Sequence, residues 1–109
     1  MIQANFTKTE GKLTAFSLKG HAGYDEFGRD IVCASVTSAV QLTANAITEV
    51  LKVKADVKVL DNLIQLKLPA QCPQEAFSFM EALKLHLEIL AEDYEGTIKV
   101  KVSEVYHNA

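Results

Sequence analysis

This chain contains no tryptophan, only two cysteines and only two prolines in 109 residues. Two cysteines are too few for a disulfide framework, and with MIQANFTKTE at the start there is no apolar core of a signal peptide. Free thiols in a reducing, cytoplasmic setting are therefore expected. Positive charge is not in excess. Eleven Lys and Arg against fourteen Asp and Glu leave a formal charge of −3, with no basic footprint, so no direct nucleic-acid partner is expected. No uninterrupted apolar run reaches the roughly 18 residues that span a bilayer, so no membrane partner is expected either. Linkers, repeats and low-complexity tracts are lacking too. One domain over residues 1–109 is expected. With 49% apolar and 23% charged residues, it has the composition of a folded globular domain.

Periodicity supplies the elements. Ile2, Ala4 and Phe6 alternate with polar residues as a half-buried strand does, and Leu13 to Lys19 repeats the pattern after a turn at Thr9–Lys12. Gly11 can supply positive φ in that turn. A helix is expected from Asp30 to about Leu51, its buried stripe running through Val32, Val36, Ala39, Val40, Thr43, Ile47, Val50 and Leu51. Two strands follow, at 56–60 and 63–68, joined by Asp61-Asn62, which tolerates left-handed backbone. Pro73 suits the first position of a second helix that runs to about Tyr94. Its core stripe is Phe77, Met80, Leu83, Leu87, Leu90 and Tyr94. Phe79, Leu85 and Ile89 lie off that stripe, which fits either a wide core contact or a dimer interface. Ile98, Val100 and Val102 alternate in a last strand. The order ββαββαβ points to an α+β two-layer sandwich, a mostly antiparallel sheet with two helices packed on it.

One stretch carries most of the chemistry: GHAGYDEFGRDIVCASVTSAV, from Gly20 to Val40. His21 opens a glycine-rich loop and Cys33 follows twelve residues later. Asp30 is a suitable helix N-cap, which would put Cys33 in the first helical turn. Unpaired amides and the helix dipole favour a thiolate there, and a nearby imidazole can take the thiol proton. Cys33 falls beside the core stripe, at the expected mouth of a cleft.

Each of these residues also has an ordinary reading. A single helical cysteine is most often a small buried hydrophobe. His21 can be a plain loop residue, His86 a packed or solvent-facing one, and His107 lies in the tail. Cys72 precedes Pro73 at a helix start but has no histidine near it in sequence, which favours a structural role. His21, Cys33, Cys72 and His86 show no paired-ligand spacing, so no metal and no cofactor are expected. Asp30 serves either as cap or as the group orienting His21. Tyr24 and Phe27 either touch a substrate or pin the loop to the core.

Gly20-His21-Ala22, followed by Asp30-Ile31-Val32-Cys33-Ala34, resembles the motif of the bacterial ribosomal-processing cysteine proteases called Prp. The resemblance covers the chain in length and element order. It implies that Cys33 is the nucleophile and His21 its general base. Ser35 stands where the family often has a second small residue, and Thr37 where it has a serine, so a hydroxyl is kept. The resemblance further implies a homodimer that removes the N-terminal extension of a large-subunit ribosomal protein. In that chemistry, backbone amides around Cys33 and Ala34 are the expected oxyanion donors. Two other readings compete: a non-catalytic ribosome-associated binding protein that docks through the loop, and a cysteine-dependent thioesterase.

Overall fold

The computed structural model describes residues 1–20 and 26–105; for residues 26–30 it describes the backbone alone. Strand β1 (Ile2–Thr9) and strand β2 (Lys12–Lys19) form the N-terminal hairpin. Helix α1 (Glu26–Asn45) runs straight into a π-helical turn, Ala46–Val50. Strands β3 (Asp56–Leu60) and β4 (Leu63–Lys67) make a second hairpin. Helix α2 (Gln74–Asp93) and strand β5 (Ile98–Val105) complete the expected ββαββαβ order.

The five strands lie in one sheet in the order β3-β4-β2-β1-β5. All neighbours are antiparallel except β1 and β5, which run parallel. That one parallel pair follows from connectivity. α2 carries the chain from β4 across to the far edge, and a crossover of this length delivers a parallel strand. The turns obey the backbone rules. Glu10 and Gly11 both have positive φ, 52° and 82°, which matches the twist of a tight hairpin. Asn62 takes φ 63° in the second hairpin, as its short amide side chain allows.

Both helices cover one face of the sheet. The core between the layers joins Phe6, Phe16, Leu18 and Leu66 from the strands to Val32, Val36, Val40 and Ile47 from α1 and its π turn. Met80, Leu83 and Leu87 come from α2. Phe6 and Phe16 face each other across β1 and β2 with centroids 6.0 Å apart, a tilted pair that adds about 1 kcal/mol beyond its buried area. By length and composition alone, Ile31–Val50 would reach across a bilayer, with a mean hydropathy of 1.4. That differs from the reading of uninterrupted runs, because Ser, Thr, Asn and Gln are mild enough to leave the average high. Here one side of this helix is core.

Three expectations change. The helix opens at Glu26, four residues before Asp30, so Asp30 lies inside the helix and does not cap it. Val50 is 75% exposed. A π turn takes more residues per turn than an α-helix, which rotates Val50 off the stripe while Ile47 and Leu51 still pack on the core. Pro73 occupies the N-cap with an extended ψ of 151°, and the helix begins one residue later.

Candidate active site

Cys33 is half-buried and free. It lines a cleft of about 320 Å³ between the middle of α1 and the adjoining ends of β1, β2 and the β3–β4 hairpin. The inner surface is apolar, with Leu18, Val36 and Val40 beneath and Val59, Leu60 and Leu63 toward the rim. The polar lining comes from Lys19, Thr37 and Asn62. Thr37 follows Cys33 by one helical turn, and the i, i+4 relation puts both on one helix face. The amphipathic pattern of α1 explains the placement. Val32 and Val36 are buried beneath the helix, and Cys33 borders that stripe, half-exposed at the cleft as expected.

Gly20 shapes the end of this cleft. It takes φ +95°, which side-chain-bearing residues rarely adopt. A Cβ there would stand 2.7 Å from the Met1 carbonyl oxygen. Its N–H donates to the Asn62 carbonyl at 3.1 Å. One glycine thus ties the end of β2 to the turn of the second hairpin, and both ends of that bond line the cleft.

The structure places the other sequence-derived site residues unevenly. Ala34 faces away from the cleft, toward a groove between α1 and α2 that it shares with Ser35, Ser38, Leu42 and His86. Cys33 is the eighth residue of α1 and not part of its first turn. Amides that deep in a helix donate to carbonyls four residues back, so the amides of Cys33 and Ala34 are not spare donors in this conformation. His21 and Tyr24 lie outside the described residues, as do the side chains of Phe27 and Asp30. Asn62 was legible only as a turn residue. No sequence signal marks it as a cleft residue, because the cleft joins it to Cys33 across 29 positions of chain.

Cys72 is the contrast. It lies at the opposite end of β2, in a groove with Lys12, Thr14 and Phe77. Burial pushes its thiol above the usual range, and the Lys12 ammonium only partly offsets this. Lys12 itself is held over the Phe77 ring, 4.8 Å from the centroid.

A family model described as cysteine protease Prp matches residues 1–99. Two relatives, each named ribosomal processing cysteine protease Prp, are similar over nearly their whole lengths. The one from Bacillus subtilis is 29% identical over 107 residues, covering 92% of this chain and 96% of the relative. The one from Staphylococcus aureus is 28% identical over 103 residues, covering 92% and 97%. The crystal structure of an essential ribosomal processing protease Prp from S. aureus, in complex with a covalently linked product peptide, superposes with a TM-score of 0.86. It is 25% identical to this chain, with 94% of this chain and all of that one covered. A free thiol at an apolar cleft is what a cysteine protease needs, and a match spanning all but the last ten residues decides the matter: the chain belongs to the Prp family of cysteine proteases.

Proposed function

We propose that this protein is a cysteine endopeptidase of the cytoplasm that removes the N-terminal extension of a large-subunit ribosomal protein, with Cys33 as nucleophile and His21 as general base. The observation that carries the assignment is the position of Cys33 on an apolar cleft whose far wall is the β3–β4 hairpin. The name shared by the relatives supports the ribosomal substrate, and the covalently linked product peptide in the S. aureus enzyme supports nucleophilic catalysis. His21 follows Gly20 in the chain, and Gly20 lines the same cleft.

The chemistry proceeds in two halves. His21 accepts the Cys33 thiol proton. The thiolate forms a bond to the carbonyl carbon of the scissile peptide, and the carbonyl π electrons move to oxygen. Thr37, Asn62 and Lys19 are the polar side chains of the cleft that can donate to that oxyanion, since the helical amides are in use. Collapse breaks the C–N bond, and the leaving amine takes the proton from His21. Water, deprotonated by His21, then attacks the thioester and frees the thiolate. Leu18, Val36, Val40, Val59 and Leu60 hold an apolar side chain of the substrate beside the cut.

A homodimer is part of the same reading. Leu42, Leu85 and Ile89 are 72%, 58% and 46% exposed on the helical layer, which gives a second copy an apolar surface to cover. The direct test of function is to mix the purified protein with the extended ribosomal protein and with a version whose apolar residues near the cut are replaced by Ala. Cleavage of the first and not the second is expected. Failure to cut either one, by protein whose Cys33 still alkylates, would remove the protease assignment for this substrate.

A further inference from the structure

The side of the sheet turned away from the helices carries charge of nearly one sign. Register places Lys58, Gln65, Ser17, Asn5 and Lys101 in one row across all five strands. The row on one side of it contains Lys19, Gln3 and Lys99. The row on the other side contains Lys67 and Asp56, which are register partners and offset one another. All five lysines are exposed, and none has an ion-pair partner among the described residues. Five lysines against one aspartate leave this face at +4. The whole chain is −3, so everything else sums to −7. Much of that lies in the helical layer, where α2 alone carries Glu75, Glu81, Glu88, Glu92 and Asp93 against Lys84. The modest overall charge averages two sides of opposite sign.

Two ordinary explanations fall short. Polar residues are expected on the open face of a two-layer fold, but that expectation has no sign. Lysines on the edge strands β3 and β5 discourage edge pairing, but Lys19 and Lys67 lie on the inner strands β2 and β4, where no edge needs protecting. Neither accounts for the segregation.

We infer that the open sheet face is a docking surface for the phosphate backbone of double-helical RNA. The cations span the full width of the sheet, about 19 Å at roughly 4.8 Å per strand. Lys99 and Lys101, two residues apart, stand about 7 Å from each other along their strand. Between the cations lie amides and hydroxyls, Gln3, Asn5, Ser17 and Gln65, which suit the alternation of phosphate and 2′-hydroxyl along an RNA strand. The described part of this face presents no aromatic side chain, so unpaired bases have nothing to stack on and a duplex is favoured over a single strand. A protein partner would need apolar or aromatic anchors near the centre of the surface. Among the described residues, the apolar groups of any size on it are Leu60 and Leu63 at one corner and Val105 at the opposite one, none of them central. Lys19 belongs both to this face and to the lining of the Cys33 cleft, so bound RNA lies next to the cleft. The inference stands on charge placement and does not depend on the identity of the peptide substrate.

The test is fluorescence anisotropy with the whole protein and a labelled RNA duplex of about 16 base pairs, long enough for two minor grooves. Binding on the order of 10⁻⁵ M at 50 mM KCl is expected, weakening with salt at a log–log slope near −3. The variant K58E/K99E/K101E should bind at least tenfold more weakly. Its melting temperature and peptide cleavage should be unchanged, because these residues are exposed and line no part of the cleft. No binding at 50 mM KCl, or equal binding by the triple variant, would overturn the inference. So would a DNA duplex or polyglutamate that binds as tightly as the RNA.

Discussion

The two cysteines of this chain are alike in most of what a sequence displays. Both are free and half-buried, and the sequence pattern puts both near the start of a helix. Their surroundings differ. Cys33 lies two full helical turns into α1 at an apolar cleft of about 320 Å³, with Thr37 and Asn62 lining the same space. Cys72 lies just ahead of α2, and burial holds its thiol in the neutral form. The cysteine nearer a helix start is thus the one less suited to attack. A helix terminus helps a thiolate only when its amides remain free and the site is open, and what singles out Cys33 is the cleft.

The largest effect expected is on catalysis. Cys33→Ala should abolish cleavage of the extended ribosomal protein, at least 10³-fold, while Cys72→Ala leaves it within about twofold. Circular dichroism should show both variants folded. Activity in Cys33→Ala would break the comparison outright.

The next effect is on the frame of the cleft. Gly20→Ala forces a side chain into φ +95° and against the Met1 carbonyl. A loss of roughly 2–3 kcal/mol is expected, with the melting temperature falling by roughly 10 °C and cleavage falling with it. Gly11→Ala is a control for the backbone angle alone, since nothing lies within 4 Å of the added Cβ, and it should cost less. Equal losses would mean that the contact with Met1 does not matter.

A third effect sharpens the chemistry. Asn62→Gly keeps a residue suited to φ 63° while removing the amide, so kcat should drop about 10²-fold with stability nearly kept. Thr37→Val should cost less, about tenfold. Unchanged kcat in both would place the oxyanion donors elsewhere.

The fold was legible to a large degree. Period-two alternation marks β1, β2, β4 and β5, and the helical stripes mark α1 and α2, because burial of one face constrains one residue in two or about two in seven. The position of Cys33 beside its stripe was legible for the same reason. The start of α1 was not. Asp30 is a good cap by type, but the helix runs back through Gly28 and Phe27 to Glu26, so a cap-forming residue type does not by itself fix a helix start. The π turn that exposes Val50 leaves no mark in composition. Asn62 joins Cys33 only through tertiary structure. The charged sheet face is readable only once strand register puts Lys58 and Lys101 in one row, because the intervening sequence holds both signs.

The smallest effect concerns titration. The Cys72 thiol is raised, so its thiolate is scarce at neutral pH and appears only as pH climbs past the ordinary thiol range. Its alkylation rate by iodoacetamide should still be rising above pH 9. A plateau near pH 8 would mean that burial does not hold the proton.

The central claim is that the attacking sulfur is Sγ of Cys33. Treating the wild-type protein with a chloromethyl ketone of the substrate's apolar sequence, then mapping the adduct by peptide mass spectrometry, asks this without any mutation. The account predicts one equivalent of label on Cys33, loss of cleavage in step with labelling, and Cys72 unmodified. Label on Cys72 with cleavage lost, or inactivation with Cys33 still free, would contradict it.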